Sequence, residues 1–461
     1  MKLQSAIVVA CLAALLIFQL MVPPVLGLAD QGDFARVVGR FGYGPLVSNE
    51  LSDRLYYFVN RIYVPDPGFR FPNWEFFTSE YLSTAAAVAL AHGGPLDIRV
   101  VGALNLGVLL GVVWLLAWGA FRLLSLSGRI ALAFITLFIL GDTAYAVYLN
   151  SFYTETATLL YLLLAIAIWL HVMAGSRGVW VLAAFGAAAI LFVTAKPQNA
   201  IVGVLLGIAF VSQVNGPRVA RIAVLAGIIA AAVWVYASTP PILRLIATYN
   251  EVFMGILPVS ADPHGDLRWF GLRPELAEYS GTGGLGVRTA MHLPGFPDEL
   301  GRRVTQPKLA LFYLTHPGRA WARIREVLPV SLSLRPEFCG NYEKAVVLKR
   351  YGEHSRENGN GALARSHCFS LWSDFREWSS GRAAAWVLLG LLVTGIWKIR
   401  GLYGVVALCA VVSFLIAILA DGWDNVKHLL LFNLLLDVCV ATAIVTVVNR
   451  RVKAGRVLHC L

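Results

Sequence analysis

The sequence predicts an all-α polytopic membrane protein with about ten transmembrane helices, from its composition, its apolar runs and the placement of its basic residues. Of the 461 residues, 58% are hydrophobic and 14% are charged, and the mean hydropathy is +0.68. In soluble proteins roughly a quarter of the residues are charged. A composition this apolar is typical of a protein embedded in lipid.

Ten apolar runs approach or exceed the length needed to cross a hydrocarbon core of roughly 30 Å. We expect spans near residues 5–27, 98–123, 130–148, 156–174, 178–195, 199–213, 222–237, 383–397, 402–420 and 428–448. The sixth and eighth runs are short, so the predicted number can change by about one.

The basic residues predict the orientation of these spans. With a cytoplasmic N-terminus, the inner connections contain no Asp or Glu, and they hold Lys2, Arg122, Arg129, Arg177, Arg218, Arg221, Lys398, Arg400, Arg450, Arg451, Lys453 and Arg456. Both termini are therefore predicted to be cytoplasmic. The net charge of +11 is then mostly a cytoplasmic anchoring signal, and nucleic acid is not an implied partner. Residues 1–27 also fit a secretory signal, but their apolar run is longer than a usual signal core, which favours an uncleaved span.

The predicted spans divide the chain into three parts. Residues 1–237 form a membrane domain with spans one to seven and a first outer loop at 28–97. Residues 238–382 form a large, mostly helical extracytoplasmic insert, and residues 383–461 hold spans eight to ten and a cytoplasmic tail. Cys339 and Cys368 share the insert, the one oxidising location, where a disulfide and two free thiols are equally compatible with the sequence.

Two carboxylates, Asp30 and Asp33, lie just outside the first predicted span. The apolar residues within 34–41 recur at i, i+3, i+4 and i+7, which predicts a helix lying on the membrane with Asp30 at its cap and Asp33 in its first turn. The two acids can simply cap that helix. Alternatively, they do chemistry at the outer membrane surface, as a hydrogen-bond acceptor or a metal ligand.

The next two outer turns each contribute one charged candidate. Glu155 is at the mouth of the fourth span and should face a polar cavity, unless it only serves the start of a helix. Lys196 is in the turn between spans five and six. It either reaches up to the lipid headgroups or binds a phosphate group.

The last outer turn places Asp421, Asp424, Lys427 and His428 within eight residues. This spacing is not specific for a metal. A site for a donor phosphate formed by Lys427 and His428 is more plausible, with Asp421 and Asp424 shaping local protonation. Solvated charge at the interface is the alternative for each residue.

Asp437 differs from these residues because it lies near the middle of the last predicted span. An unpaired charge is expensive at that depth. We therefore expect Asp437 to face the bundle interior, neutral or paired, in a structural role.

Three short motifs resemble those of integral-membrane glycosyltransferases of the GT-C superfamily: Gly32–Val37, Asn150–Glu155 and Gly422–Leu429. Tyr249–Leu257 is similar to a stretch of a bacterial hexosyltransferase group of glycan biosynthesis. The likeness covers the whole predicted topology. It implies a protein of the bacterial plasma membrane with an extracytoplasmic active site.

The resemblance implies transfer of a hexose from a polyprenyl-phosphate donor, without nucleotide, to a glycan or lipid acceptor of the cell envelope. Carried over residue by residue, Asp33 is the base, with Asp30 as a second candidate, and Glu155 positions the acceptor or a metal. The donor phosphate is neutralised by Lys196, Lys427 and His428. Dependence on Mg²⁺ or Mn²⁺, with Asp33 and Glu155 as the candidate ligands, stays open.

Two other functions compete with transfer. A transporter or flippase of a lipid-linked sugar is one, but such proteins usually place charged sites near the midplane, and here only Asp437 is deep. A ligase or polymerase of surface polysaccharide is the other, and it does not require an acid directly after the first span.

Overall fold

Apolar helices make up most of the chain, as the hydropathy of the sequence predicts. The computed structural model describes residues 1–47, 51–336, 339–351, 365–399 and 401–450. Arg400, Arg451, Lys453 and Arg456 of the predicted inner segments therefore lie outside the described residues.

The α-helices are numbered in chain order. They are α1 Lys2–Met21, α2 Leu51–Arg54, α3 Tyr81–Ala91, α4 Ile98–Phe121, α5 Leu126–Leu140, α6 Thr143–Leu149, α7 Thr154–Met173, α8 Val179–Ala195, α9 Ala200–Gln213, α10 Arg218–Ser238, α11 Pro241–Asn250, α12 Pro263–Phe270, α13 Phe296–Arg303, α14 Gln306–Thr315, α15 Pro317–Val327, α16 Lys344–Tyr351, α17 Leu371–Trp397, α18 Leu402–Leu419, α19 Asn425–His428 and α20 Leu430–Arg450. A π-helical turn, Glu251–Ile256, follows α11 directly.

Within the described residues, eight helical segments are long and apolar enough to cross a membrane: α1, α4, α7, α10, Pro241–Val259, α17, α18 and α20. The bent pair α5 and α6 makes up to nine if it is one span. The predicted fifth and sixth spans correspond to the shorter apolar helices α8 and α9. Pro241–Val259 lies inside the predicted insert, so the number of spans and the placement of the insert stay predictions.

The third predicted span is bent by 64° between α5 and α6. Gly141 lies at the bend, where an added Cβ would be 2.3 Å from the Leu15 side chain and 2.4 Å from the Leu137 carbonyl. Asp142 then caps α6 by accepting a hydrogen bond from the backbone N–H of Ala144. The bend directs the fully buried α6 towards the loop that leads to Glu155.

The first outer loop contains a small sheet, so the chain is not entirely helical. Strands β1 Tyr43–Pro45, β2 Ile62–Pro65 and β3 Leu96–Asp97 pair antiparallel in the order β1-β2-β3. The second pairing places Ile62 opposite Asp97, immediately before α4. The sheet thus joins the loop to the bundle.

The prediction of a single helix after Asp33 is wrong, because the chain forms two 3₁₀ turns there, Phe34–Arg36 and Gly39–Phe41. Gly42 has φ +70°, which stops a helix there. Gly39 lies so close to the Phe69 carbonyl that a Cβ would be 2.6 Å away. The apolar spacing within 34–41 instead reflects the burial of most of its apolar side chains.

The predicted insert contributes to two hydrophobic cores. One core is formed between Tyr249 and Tyr313, and in it the rings of Tyr249 and Phe253 stack at 4.3 Å. The later part of the insert, described at 327–336 and 339–347, instead packs into the core of the helical bundle. Its backbone also joins the first outer loop, since Ala29 N–H donates to the Gly340 carbonyl at 3.0 Å. Cys339 and Cys368 are free thiols, so the structure shows no disulfide between them.

Asp437 is buried and paired, as predicted. Its carboxylate forms an ion pair with Arg376 and accepts hydrogen bonds from the Tyr145 hydroxyl at 2.6 Å and the Trp372 indole at 3.0 Å. These contacts join α6, α17 and α20, which matches a structural role.

We predict that Asp437→Leu destabilises the protein by about 3–5 kcal/mol, because it leaves the buried charge of Arg376 unpaired. The double variant Asp437→Leu/Arg376→Met should recover part of that loss because it removes both charges. The measurement is the thermal unfolding midpoint in detergent. A single variant at least as stable as the double would contradict this account.

Candidate functional site

Four separate chain segments bring their charged side chains together at one site. They are the loop after α1, the start of α7, the turn between α8 and α9, and the turn between α18 and α20. The structure places every predicted site residue there: Asp30, Asp33, Glu155, Lys196, Asp421, Asp424, Lys427 and His428. The site lies at the end of the bundle where α7 and α20 begin.

An ion pair between Asp33 and Lys427 lies at the centre of this site. The Lys427 Nζ is 2.6 Å from one carboxylate oxygen of Asp33 and 3.5 Å from Asp424. The ammonium also lies 5.0 Å from the centre of the Tyr153 ring. Burial alone would lower the pKa of Lys427, but Asp33 and Asp424 outweigh burial and raise it, so this lysine stays charged.

Asp33 has a second cationic partner that the sequence interpretation did not assign. The Arg36 guanidinium forms an ion pair with the other carboxylate oxygen of Asp33, within the same 3₁₀ turn. Burial alone would raise the pKa of Asp33, but Arg36 and Lys427 outweigh burial and hold it well below its usual range. The three-residue spacing from Asp33 to Arg36 was the signal for this pair.

Asp30 is in a different environment from Asp33. One of its carboxylate oxygens accepts the backbone N–H groups of Gly32 at 2.7 Å and Phe34 at 3.1 Å, so it does cap the following turn. Burial, with the nearby negative charge of Asp33, raises the pKa of Asp30 to about 7 despite these hydrogen bonds. The two acids therefore differ in protonation near neutral pH.

Glu155 and Lys196 form the second ion pair of the site. The Lys196 Nζ is 2.8 Å from the Glu155 carboxylate, and Thr154 donates to the other carboxylate oxygen at 3.3 Å. Glu155 is thus buried at the start of α7 against charged neighbours, which is the polar environment that the sequence required.

His428 differs from its predicted role as a positive charge. Burial lowers its pKa well below the usual range, and the charges of Lys196 and Lys427 add to the decrease. Its ring nitrogen is 4.0 Å from Asp421, whose pKa is raised to about 6 by burial. A neutral imidazole can only donate a hydrogen bond to a phosphate, so the prediction of a cationic His428 is corrected.

The site has an accessible mouth and a buried floor. The side chains of Asp33, Arg36 and Lys196 are 26%, 27% and 21% exposed. Lys427 and Asp424 are 2% and 4% exposed. A ligand would therefore meet Arg36 and Lys196 first and Lys427 last.

Contacts with the predicted insert fix the turn that carries Lys427. Arg323, which is buried, donates to the Gly422 carbonyl at 3.3 Å and to the Asn425 side chain at 2.9 Å. Asn250 donates to Asp421 at 3.2 Å. Arg323 and Asn250 are far from this turn in sequence. Asn250 lies in the recognised segment Tyr249–Leu257, but no local pattern predicts that either residue contacts this turn.

The floor of the site is also fixed from the first outer loop. The Gln31 side-chain amide donates to Asp424 at 2.6 Å. The Tyr153 hydroxyl donates to the Ala29 carbonyl at 2.7 Å and accepts from the Gln31 backbone N–H at 3.0 Å. Tyr153 lies within the recognised motif Asn150–Glu155, and Gln31 directly precedes the motif Gly32–Val37, but neither side chain carries a charge that would have singled it out.

The site residues do not fit a divalent cation well. Asp33 is paired with Arg36 and Lys427, and Glu155 with Lys196. Among the described residues, no three His, Cys, Asp or Glu side chains are grouped so that they would hold a metal ion. The open prediction of Asp33 and Glu155 as ligands thus gains no support, and we derive no step through a metal.

We predict that Asp30 makes stability fall as the pH rises. Between about pH 4 and pH 7 the folded state retains a proton on Asp30 that the unfolded chain has released, so the free energy of unfolding decreases over this window. Asp30→Asn keeps the capping oxygen and removes the titration. The unfolding midpoint of this variant minus that of wild type should therefore increase from pH 4.5 to pH 7.5. A constant difference would contradict the assignment.

Comparisons with known proteins identify the family of the chain. No curated protein and no solved structure matches it significantly. One family model, described as the YfdI N-terminal transmembrane domain, matches residues 1–457. Together with the apolar helices, this match indicates an integral membrane protein. The chain belongs to the YfdI N-terminal transmembrane domain family.

Proposed function

We propose that the protein is an inverting glycosyltransferase that moves a hexose from a polyprenyl-phosphate donor to a glycan or lipid acceptor of the cell envelope. The observation that carries the proposal is the convergence of five carboxyl groups with three cationic side chains at one end of an apolar helical bundle. Removal of a phosphate leaving group needs cations, and activation of a hydroxyl needs a carboxylate.

In the proposed reaction, the acceptor hydroxyl attacks the anomeric carbon of the hexose in one displacement. The new glycosidic C–O bond forms as the bond between the anomeric carbon and the phosphate oxygen breaks. The polyprenyl phosphate leaves with the bonding electron pair. Asp33 takes the proton of the hydroxyl as the base, with Asp30 as the second candidate.

The remaining site residues have distinct roles in this proposal. Lys196 and Lys427 neutralise the charge that develops on the departing phosphate, and neutral His428 donates a hydrogen bond to it. Glu155, held by Lys196, positions the acceptor. Asp421 and Asp424 orient His428 and Lys427, which they approach at 4.0 Å and 3.5 Å.

The protein surroundings support a lipid-linked donor. The isoprenoid chain can remain in the membrane beside the bundle while its phosphate enters the mouth lined by Arg36 and Lys196. The glycine-rich segment 281–286 is similar to a dinucleotide-binding fingerprint, but it follows no strand. We therefore propose no nucleotide. The proposed site is on the extracytoplasmic side, with both termini in the cytoplasm.

We predict that Asp33→Asn lowers the rate of hexose transfer by about 10²- to 10⁴-fold, because the amide cannot take the acceptor's proton. The assay incubates purified protein with polyprenyl-phosphate hexoses and a cell-envelope acceptor extract. The matched control is Glu75→Gln, which removes an acid of the same loop whose ion pair among the described residues is with exposed Arg70. It should leave transfer unchanged.

Two results would overturn the proposal in different ways. A folded Asp33→Asn protein that transfers hexose at the wild-type rate would remove Asp33 from the mechanism. Movement of the sugar lipid across vesicles by the wild-type protein, with no new glycosidic bond, would assign a transporter instead.

A further inference from the structure

Each cation of the site already has a carboxylate partner. Lys196 is paired with Glu155, Arg36 with Asp33, and Lys427 with both Asp33 and Asp424. An incoming phosphate must therefore take cations from carboxylates rather than occupy a preformed positive pocket. Asp33 is the carboxylate shared by two of the three cations, so a phosphate that binds these cations must displace Asp33 from them.

Arg36 has the geometry of a phosphate ligand at the mouth. A guanidinium carries five N–H donors in a planar fork that fits phosphate, and here its carboxylate partner is Asp33. The side chain is 27% exposed, and none of its nitrogens is among the buried atoms that lack a partner. Its backbone is fixed in the turn, because the Tyr81 hydroxyl donates to the Arg36 carbonyl at 2.8 Å.

Lys427 faces the same carboxylate from the floor. Its three ammonium donors have two carboxylate neighbours, at 2.6 Å and 3.5 Å. If the Asp33 carboxylate moves away, Asp424 and the Tyr153 ring remain beside Lys427 and still stabilise its positive charge. Arg36, partly exposed at the mouth, and Lys427, buried at the floor, thus hold different oxygens of the Asp33 carboxylate.

We propose that Arg36 and Lys427 form an exchange pair that binds Asp33 in the empty site and a phosphate ester in the loaded site, so that donor binding releases the Asp33 carboxylate. This inference rests on the proposed function and adds Arg36 to the donor site. The ligand chemistry is a phosphate group, carried either by a lipid or by a free anion. Arg36 acts directly on the donor.

The exchange has a consequence for catalysis. While Arg36 and Lys427 hold Asp33, its pKa is far below the usual range and it is a poor base. When a phosphate takes those two cations, its negative charge offsets theirs. The other charged groups near Asp33 are Lys196, Asp424 and Glu155, with Asp30 only partly ionised because its pKa is about 7. Most of these charges are negative, so they strengthen Asp33 as a base. The acceptor is therefore activated only after the donor has bound.

The test measures binding rather than transfer. The probes are polyprenyl phosphate without sugar, uncharged polyprenol and inorganic phosphate, each added to the purified full chain. Asp33→Asn removes the competing carboxylate, so polyprenyl phosphate should bind about five- to tenfold more tightly than to wild type. Arg36→Gln should weaken binding by about the same factor, and polyprenol should not respond to either substitution.

The double variant and two controls isolate the exchange. In the double variant Arg36→Gln/Asp33→Asn, the gain in affinity for polyprenyl phosphate that Asp33→Asn brings should be smaller, because one of the two cations that Asp33 releases is absent. Arg40→Gln removes an arginine four residues further on that stacks on Tyr81, and it should bind polyprenyl phosphate as wild type does. Glu75→Gln controls for loss of an acid in the same loop. Asp33→Ser serves as a second variant if Asp33→Asn folds poorly.

The outcomes separate this proposal from the proposed function. Unchanged or weaker binding of polyprenyl phosphate by both folded Asp33 variants overturns the exchange. The predicted tightening without any hexose transfer supports the exchange and rejects glycosyl transfer. An equal gain with inorganic phosphate, and no preference for the lipid form, assigns the site to a free phosphate and overturns the lipid donor.

Discussion

The ion pair between Asp33 and Lys427 is the interaction on which the site depends. It joins residues 394 positions apart, one in the loop after α1 and one in the turn before α20. Lys427 is almost completely buried, and a buried ammonium is stable only with a close carboxylate. The pair therefore joins the loop after α1, the first helix of the bundle, to the turn before α20, the last one. The other charged side chains of the site lie around this pair.

The electrostatics of the site follow from the different partners of similar buried groups. Asp33 is bound by two cations and stays ionised, whereas Asp30, three residues earlier, has backbone N–H partners and a pKa of about 7. His428 is neutral because burial lowers its pKa well below the usual range and the charges of Lys196 and Lys427 add to the decrease. An acid that binds protons weakly beside one that binds them near neutrality is the kind of arrangement that separates roles in an active site. Neither difference is visible in residue type alone.

The sequence predicted the parts of the fold that depend on hydropathy and the parts of the site that depend on charge. Residues far apart in sequence but at the same predicted end of the spans did converge, and Asp437 is paired as its depth required. The predicted helix after Asp33 failed because Gly39 and Gly42 impose close packing and a positive φ, which apolar spacing does not report. The contacts of Arg323 and Asn250 with the turn at Gly422 were not predicted, because only tertiary packing brings these residues there.

A double-mutant cycle between Asp33 and Lys427 measures whether these two side chains stabilise each other in the folded protein. The thermal unfolding midpoints of wild type, Asp33→Asn, Lys427→Met and the double variant would be measured in the same detergent. We predict a coupling of about 0.5–3 kcal/mol, with the double variant more stable than the sum of the single losses, because removing either partner leaves the other without its opposite charge. Strictly additive effects would contradict the ion pair and, with it, the convergence of the site.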